Sequence, residues 1–159
     1  MILPSIRLAT PDDEPALLGM AARMANFDVP PWRSASEIIE ADGRDMLRAV
    51  LEGHPDHEVV VAEASGVPAG CLYILAATDF FGRRHAHISV IATTEAAEGT
   101  GVGRALLAYA ERWAQARGLR LLTLNVFAAN ARARRFYEQA GFAVELVKYV
   151  KPLIRIEGS

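Results

Sequence analysis

The chain has 159 residues, of which 52% are hydrophobic and 23% charged, with a formal net charge of −2. This composition predicts one globular domain over residues 1–159, and it lacks the basic excess that attracts nucleic acid or anionic membranes. With a lone Cys71, no secretory leader and no membrane-spanning apolar run, we expect a cytoplasmic protein without disulfides.

The N-terminal third predicts a strand followed by two helices. An alternating run begins the chain, and Pro11 then suits the first position of a helix. Tandem prolines at 30–31 interrupt helical structure. Ser34 and Glu37 form the S-x-x-E pattern of a capping box. We therefore predict a strand at 5–9 and helices at 11–25 and 34–52.

The middle of the chain predicts three strands. The apolar, β-branched runs at 58–64 and 69–77 are separated by a Gly-Pro-containing connection, which is typical of a hairpin. A polar loop follows, and residues 85–93 form the fourth predicted strand.

The most informative segment comes next. Gly99, Gly101 and Gly103 alternate and lead into a helix predicted to extend to about residue 117. Glycine permits a tight turn and a close approach of backbone to a ligand. The first turn of a helix also presents unpaired N–H groups and the positive end of its dipole. A phosphate-bearing ligand is the first interpretation, and a purely structural turn is the alternative.

Two common nucleotide-binding motifs do not fit this segment. The P-loop requires G-x-x-x-x-G-K-[ST], whereas Gly103 is followed by Arg104 and Ala105. The dinucleotide fingerprint G-x-G-x-x-G requires glycine at position 104 or 106, where the chain has Arg104 and Leu106.

The C-terminal third completes a mixed α+β pattern. We predict a fifth strand at 121–127, a helix at 130–140 that Gly141 ends, and two closing strands at 142–150 and 153–156. The element order is β-α-α-β-β-β-α-β-α-β-β, which predicts a sheet with helices on its faces.

The run 88–107 and the distal pattern Asn130-x-x-Ala133-x-x-Phe136-Tyr137-x-x-x-Gly141-Phe142 together resemble the GNAT superfamily of N-acetyltransferases. The resemblance implies a twisted mixed sheet of about seven strands with about four helices, splayed between the fourth and fifth strands. It implies acetyl-CoA as the acetyl donor, without a metal, and it is consistent with a homodimer.

The resemblance also implies where the donor binds. Backbone amides that begin the third helix would hold the diphosphate, and the pantetheine arm would pair with the fourth strand. Asn130 and Tyr137 lie two helical turns apart on one face, with Tyr137 beside the thioester sulfur. The expected donor-binding residues are Ile91, Ala92, Thr93, Gly99, Thr100, Gly101, Val102, Gly103, Arg104, Ala105, Asn130, Ala133 and Tyr137.

One residue departs from the family's pattern. The phosphate loop of the family usually opens with Arg or Gln, whereas this chain has Glu98. Because a carboxylate repels a diphosphate, we expect the Glu98 side chain to point away from it.

Acetyl transfer to an amine needs an acid and a route for the amine proton. Tyr137 is the expected general acid, although its ordinary pKa of about 10 exceeds that of a thiol, about 8.5, by enough to make full proton donation uphill by about 2 kcal/mol. His87 or a water is the expected general base. If the fourth strand alternates regularly, His87 shares a face with His85, Ser89, Ile91 and Thr93.

The acceptor site is expected to involve three loop residues, Asp28, Trp32 and Phe80. Asn125, inside the fifth strand, is expected either to line the cleft or to satisfy a sheet bulge. They would suit a small-molecule or protein amine that carries positive charge on an apolar body. Two histidines in the stretch 54–57 are expected to form a loop rather than a metal site. A non-catalytic acyl-CoA-binding or sensing domain, or a plain interaction domain, are the alternative functions.

Overall fold

The structure is a computed structural model that describes residues 3–154. Its strands are β1 (Ser5–Leu8), β2 (His57–Ala64), β3 (Val67–Thr78), β4 (Arg84–Thr93) and β5 (Leu122–Leu124). Its α-helices are α1 (Glu14–Ala21), α2 (Ala35–Glu52), α3 (Val102–Ala116) and α4 (Ala131–Gln139). Short 3-10 helices lie at Pro11–Asp13, Ala22–Ala25 and Glu95–Ala97. No helix within the described range is both long enough and apolar enough to cross a membrane.

The local signals for the helices are confirmed. The Ser34 hydroxyl accepts the Glu37 amide at 3.1 Å, and the Glu37 carboxylate accepts the Ser34 amide at 2.9 Å, so the predicted capping box begins α2. Gly101 precedes α3 as its N-cap residue with φ 96°. The starts of α2, α3 and α4 therefore lie within one or two residues of their predicted positions, whereas α1 begins at Glu14 after a 3-10 turn at Pro11–Asp13. Only the glycine start requires a left-handed backbone.

The five strands form one mixed sheet in the order β1-β2-β3-β4-β5. The first four pair antiparallel, and β5 pairs parallel to β4. One apolar cluster lies between the sheet and α3, and a second lies between the opposite face and the pair α1 and α2. The predicted class, a mixed α+β sheet with helices on its faces, is confirmed.

A β-bulge interrupts β4. Tyr73 pairs with Val90, whereas the next residue, Ile74, pairs with Ile88, so Ser89 is an extra residue in β4. The expected regular alternation of β4 is therefore wrong beyond Ser89. Before the bulge Ala86 and Ile88 face α3; after it, Ile91 packs on the α3 cluster whereas Val90 and Ala92 belong to the α1 and α2 cluster. His85 and His87 consequently lie on the opposite face from Ile91.

The sheet opens where the bulge lies. β4 and β5 pair only at Ala86–Leu122, His87–Thr123 and Ile88–Leu124, although β4 continues to Thr93. This is the expected splay between the fourth and fifth strands. The predicted fifth strand at 121–127 is too long, and Asn125 is exposed beyond its end rather than inside it. Beyond the end of β5, Phe127 packs against Phe27, with ring centroids 5.1 Å apart.

The predicted closing strands are not formed. Residues 143–154 contain no strand in the described part of the chain, so the sheet there has five strands instead of about seven. The remainder of the predicted last strand, residues 155–156, lies outside the described residues. A strand needs a neighbour for its N–H and C=O groups, and no segment of residues 3–154 pairs with this one. Its apolar residues are exposed, namely Val144, Leu146, Val147, Tyr149, Val150, Leu153 and Ile154.

Candidate active site

The glycine loop presents a group of unpaired backbone amides at the start of α3. Gly99 and Gly101 have φ values of 73° and 96°, the left-handed region that favours glycine. Two of the expected donor-binding amides are already used, since Thr100 N–H donates to the Ala97 carbonyl and Ala105 N–H donates to the Gly101 carbonyl. Within residues 3–154, backbone acceptors are absent for the amides of Gly99, Gly101, Val102, Gly103 and Arg104. Five N–H groups without a backbone acceptor, next to the positive end of the α3 dipole, are chemically suited to an anion.

Close packing holds α4 beside this loop. A Cβ at Gly103 would lie 3.2 Å from Cζ of Phe136, so the first turn of α3 touches the Phe136 ring directly. Asn130 caps α4, where its Oδ1 accepts the Ala133 amide at 3.3 Å. The Asn130 side-chain NH₂ has no acceptor among the described residues, so it can donate to a ligand.

Tyr137 lies on the same side of α4 as Asn130 and Ala133. Its ring packs against Phe136 and Phe142, with centroids 5.5 and 5.8 Å away. Burial raises the pKa of Tyr137 to about 12. Its hydroxyl makes no hydrogen bond within residues 3–154 and is not fully enclosed, so the phenol O–H is free to donate.

His87 lies at the point where β4 and β5 separate. Its Nδ1 is 2.8 Å from Thr123 Oγ1, and the Thr123 hydroxyl also lies 3.4 Å from the Ala86 carbonyl. When Thr123 donates to Ala86, His87 Nδ1–H donates to Thr123 and Nε2 is the proton acceptor. Burial, and next the neighbouring His85, lower the pKa of His87. The ring is therefore neutral at pH 7.

Glu98 is paired with two cations. Its carboxylate accepts hydrogen bonds from Arg23, in the 3-10 helix after α1, and from Arg132 on α4. Hydrogen bonds from Arg132 and then Arg23 lower the pKa of Glu98, so the group stays ionised. The repulsion expected between this carboxylate and a diphosphate is thus compensated by the two guanidinium groups.

The expected acceptor residues divide into two places. The Phe27–Phe127 stack brings the loop holding Asp28 and Trp32 to the end of β5, where Asn125 also lies. Phe80, 96% exposed, lies in the turn before β4, at the opposite end of that strand from the glycine loop. The Phe27–Phe127 contact therefore brings the loop that holds Asp28 to the chain that follows β5, whereas Phe80 lies apart.

Several site residues gave no signal in the sequence. Arg23 and Arg132 are separated from Glu98 by 75 and 34 positions in the sequence, and no local sequence pattern predicts ion pairs over such separations. Thr123 is one of two polar residues in the apolar run 121–127, and nothing in the sequence pairs it with His87. Across residues 3–154 there is no group of three or more His, Cys, Asp or Glu side chains arranged to hold a metal. His54 Nδ1 instead accepts the Asp56 amide at 3.0 Å, as a turn.

Comparison with known families gives one match that spans most of the chain. A family model described as the acetyltransferase (GNAT) family matches residues 21–142. No curated protein matches the sequence.

Solved structures share the fold at low sequence identity. A mutant of the BH1408 protein from Bacillus halodurans has a TM-score of 0.76 at 19% identity, over 94% of this chain and 99% of that one. The aminoglycoside N-acetyltransferase AAC(6')-Iy, solved in complex with CoA, has a TM-score of 0.69 at 18% identity, over 97% of each chain. A ribosomal-protein-alanine N-acetyltransferase from Brucella melitensis has a TM-score of 0.68 at 19% identity, over 95% and 99%. At these identities the likeness establishes the fold alone.

Proposed function

Because this chain belongs to the GNAT acetyltransferase family, we propose that it transfers the acetyl group of acetyl-CoA to a primary amine by direct attack in a ternary complex. The observation that carries the proposal is the set of five unpaired amides at 99–104, beside the opening between β4 and β5. Amides at a helix N-terminus suit a diphosphate. A solved protein of the same fold, AAC(6')-Iy, was crystallised with CoA.

The opening in the sheet suits the pantetheine arm. Alternate residues of β4 point their N–H and C=O groups toward the β5 side. Beyond Ile88, no strand of residues 3–154 lies on that side, so those groups can pair with an extended ligand along residues 91–93. The Asn130 NH₂ is a further donor for the ligand's amides. The thioester would then lie between Tyr137 and the bulge at Ser89.

The chemistry follows from these positions. The amine nitrogen attacks the thioester carbonyl, its proton passes to His87 Nε2 or to water, and the carbon–sulfur bond breaks. Backbone N–H groups near the bulge would stabilise the oxyanion. With a pKa of about 12 for Tyr137 and about 8.5 for a thiol, complete proton transfer to the thiolate is uphill by about 5 kcal/mol. Tyr137 therefore acts chiefly by hydrogen bonding to the developing thiolate.

Thiol release from acetyl-CoA against a panel of primary amines tests the proposal. We expect release that requires an amine, together with an acetylated amine detected by mass spectrometry. A sensing domain, the alternative function, would bind acetyl-CoA without releasing thiol for any amine. Absence of CoA binding by calorimetry would reject both functions.

The pH dependence of kcat/KM tests His87. Because the pKa of His87 is lowered, the part of the acid limb that reports His87 should have its midpoint below the ordinary histidine value of about 6.5. Above it kcat/KM should still rise toward the pKa of the amine itself, about 10.4 for a lysine-like amine. His87→Ala should lose the His87 part of the limb and about 10²-fold in kcat/KM. The control is His54→Ala, an exposed histidine in the turn before β2, which should behave as wild type. If His87→Ala keeps this part of the acid limb of the kcat/KM profile, the amine proton passes to water and not to His87.

The acceptor is proposed only as a class. AAC(6')-Iy is an aminoglycoside acetyltransferase and the Brucella protein is a ribosomal-protein-alanine acetyltransferase, so proteins of this fold include both small-molecule and protein acylation. In this chain Asp28 and Asn125 would contact a cationic amine near the end of β5, and Trp32 would contact its apolar body. The homodimer stays a prediction.

A further inference from the structure

The Glu98 carboxylate joins three separate parts of the chain. Arg132 makes a two-pronged contact with it, Nη2 to Oε2 at 3.0 Å and Nη1 to Oε1 at 3.2 Å. Arg23 donates from Nη2 to the same Oε1. A forked contact fixes both the distance and the plane of the Arg132 guanidinium. Glu98 itself begins the glycine loop, so the fork also fixes Arg132 relative to the loop amides.

The two arginines differ in exposure. The Arg132 side chain is 72% exposed, whereas that of Arg23 is 24% exposed and its enclosed Nη1 has no partner among the described residues. Arg132 therefore keeps donors that an incoming anion can reach, and Arg23 is held in the protein. Together the three side chains carry two positive charges and one negative charge, a net excess of one positive charge beside the loop.

We propose that Arg132 contacts the diphosphate of the acyl donor and that Glu98 is a positioning residue that holds Arg132 beside the glycine loop. The inference rests on the proposed function, since it adds a ligand contact to that donor site. Arg132, held in place by Glu98, thus supplies the positive charge that a basic residue at position 98 would supply. Because Arg23 also pairs with Glu98, the two guanidinium groups outweigh the single negative charge of the carboxylate, and Glu98 does not repel the ligand.

Binding of two ligands separates a diphosphate contact from a general loss of structure. Calorimetry is performed with CoA and with S-acetylpantetheine, which lacks the diphosphate. Arg132→Ala should raise the Kd for CoA by about 10- to 100-fold, as expected for one charge-assisted hydrogen-bonding group. It should leave the Kd for S-acetylpantetheine unchanged, because that ligand has no diphosphate for Arg132 to contact. Arg132→Lys should bind CoA more tightly than Arg132→Ala but more weakly than the wild type, because an ammonium group cannot make the forked contact.

Arg120→Ala is the matched control for loss of one positive charge. Arg120 is exposed, has no ion pair within residues 3–154, and precedes the end of β5 that pairs with Ala86, away from the glycine loop. Its CoA affinity should equal that of the wild type. Equal losses of CoA affinity in Arg120→Ala and Arg132→Ala would indicate net charge alone and overturn the contact.

Glu98→Gln tests positioning by the sign of its effect. Removing a negative charge beside an anion site should strengthen CoA binding if charge is all that Glu98 contributes. Positioning predicts the opposite, a Kd for CoA raised about threefold or more, because the fork to Arg132 is weakened. Tighter CoA binding in Glu98→Gln would overturn the positioning role. A wild-type protein that binds CoA but acetylates no amine would reject the proposed function and leave this inference standing.

Discussion

Tyr137→Phe should lower kcat by about 10²-fold while the Kd for CoA stays within about twofold of wild type. The substitution removes one oxygen that has no hydrogen-bond partner in residues 3–154, and it keeps the ring that packs on Phe136 and Phe142. The loss should therefore appear in the chemical step, where a thiolate develops beside the missing O–H, and not in folding or donor binding. Single-turnover kinetics with saturating acetyl-CoA and amine measure it directly.

The raised pKa of Tyr137 adds a test on the alkaline side. With a pKa of about 12, the phenol stays protonated as the pH rises from neutrality, so Tyr137 alone should give no alkaline fall of kcat below about pH 11. An exposed tyrosine, Tyr149, supplies the control: Tyr149→Phe should not change kcat. If Tyr137→Phe keeps the wild-type kcat, the tyrosine only anchors α4.

Elements whose signals lie within a few consecutive residues were predictable from the sequence. The capping box of Ser34 and Glu37 needs only four consecutive residues to form, and it begins α2 where predicted. The β2–β3 hairpin and the left-handed glycines before α3 are equally local. For the same reason the glycine turn before α3, where we propose that the donor binds, could be located in advance.

Features that depend on distant partners were not predictable. The bulge at Ser89 exists only relative to β3, so a strict period of two placed His87 and Ile91 on one face, where the structure separates them. The C-terminal run 142–150 has a strand-like composition but finds no neighbour in the described chain. A sequence pattern indicates that a segment can form a strand, and the strand forms only where a neighbouring strand pairs with it.

The same distinction applies to charge. From the sequence, Glu98 was a carboxylate at a position where the family usually has Arg or Gln, and its side chain was expected to point away from a diphosphate. In the structure it is the shared partner of Arg23 and Arg132, which come from opposite ends of the matched family region. Glu98 alone is negative, whereas Glu98 with Arg23 and Arg132 carries one net positive charge, and only the fold brings these three residues together.

Gly99→Val should raise the Kd for CoA by about 30-fold or more, which corresponds to about 2 kcal/mol. Gly99 has φ 73°, and a β-branched residue is strongly disfavoured there, although its side chain would meet open space. The loop must then relax to a negative φ, which turns the peptide planes on both sides of the residue. Because the amides of Gly99 and Gly101 no longer converge on one anion, the donor site is lost while α3 stays folded.

Gly118→Val separates this loss from simple destabilisation. Gly118 has φ 69°, also faces open space, and lies beyond the C-terminal end of α3, so the backbone strain is the same and the donor site is distant. Both variants should lose about 1 to 3 kcal/mol of unfolding free energy, measured by chemical denaturation. Only Gly99→Val should lose CoA affinity in calorimetry. Equal CoA affinities in the two variants would mean that the glycines form a turn, and that the anion-binding amides are not those of this loop.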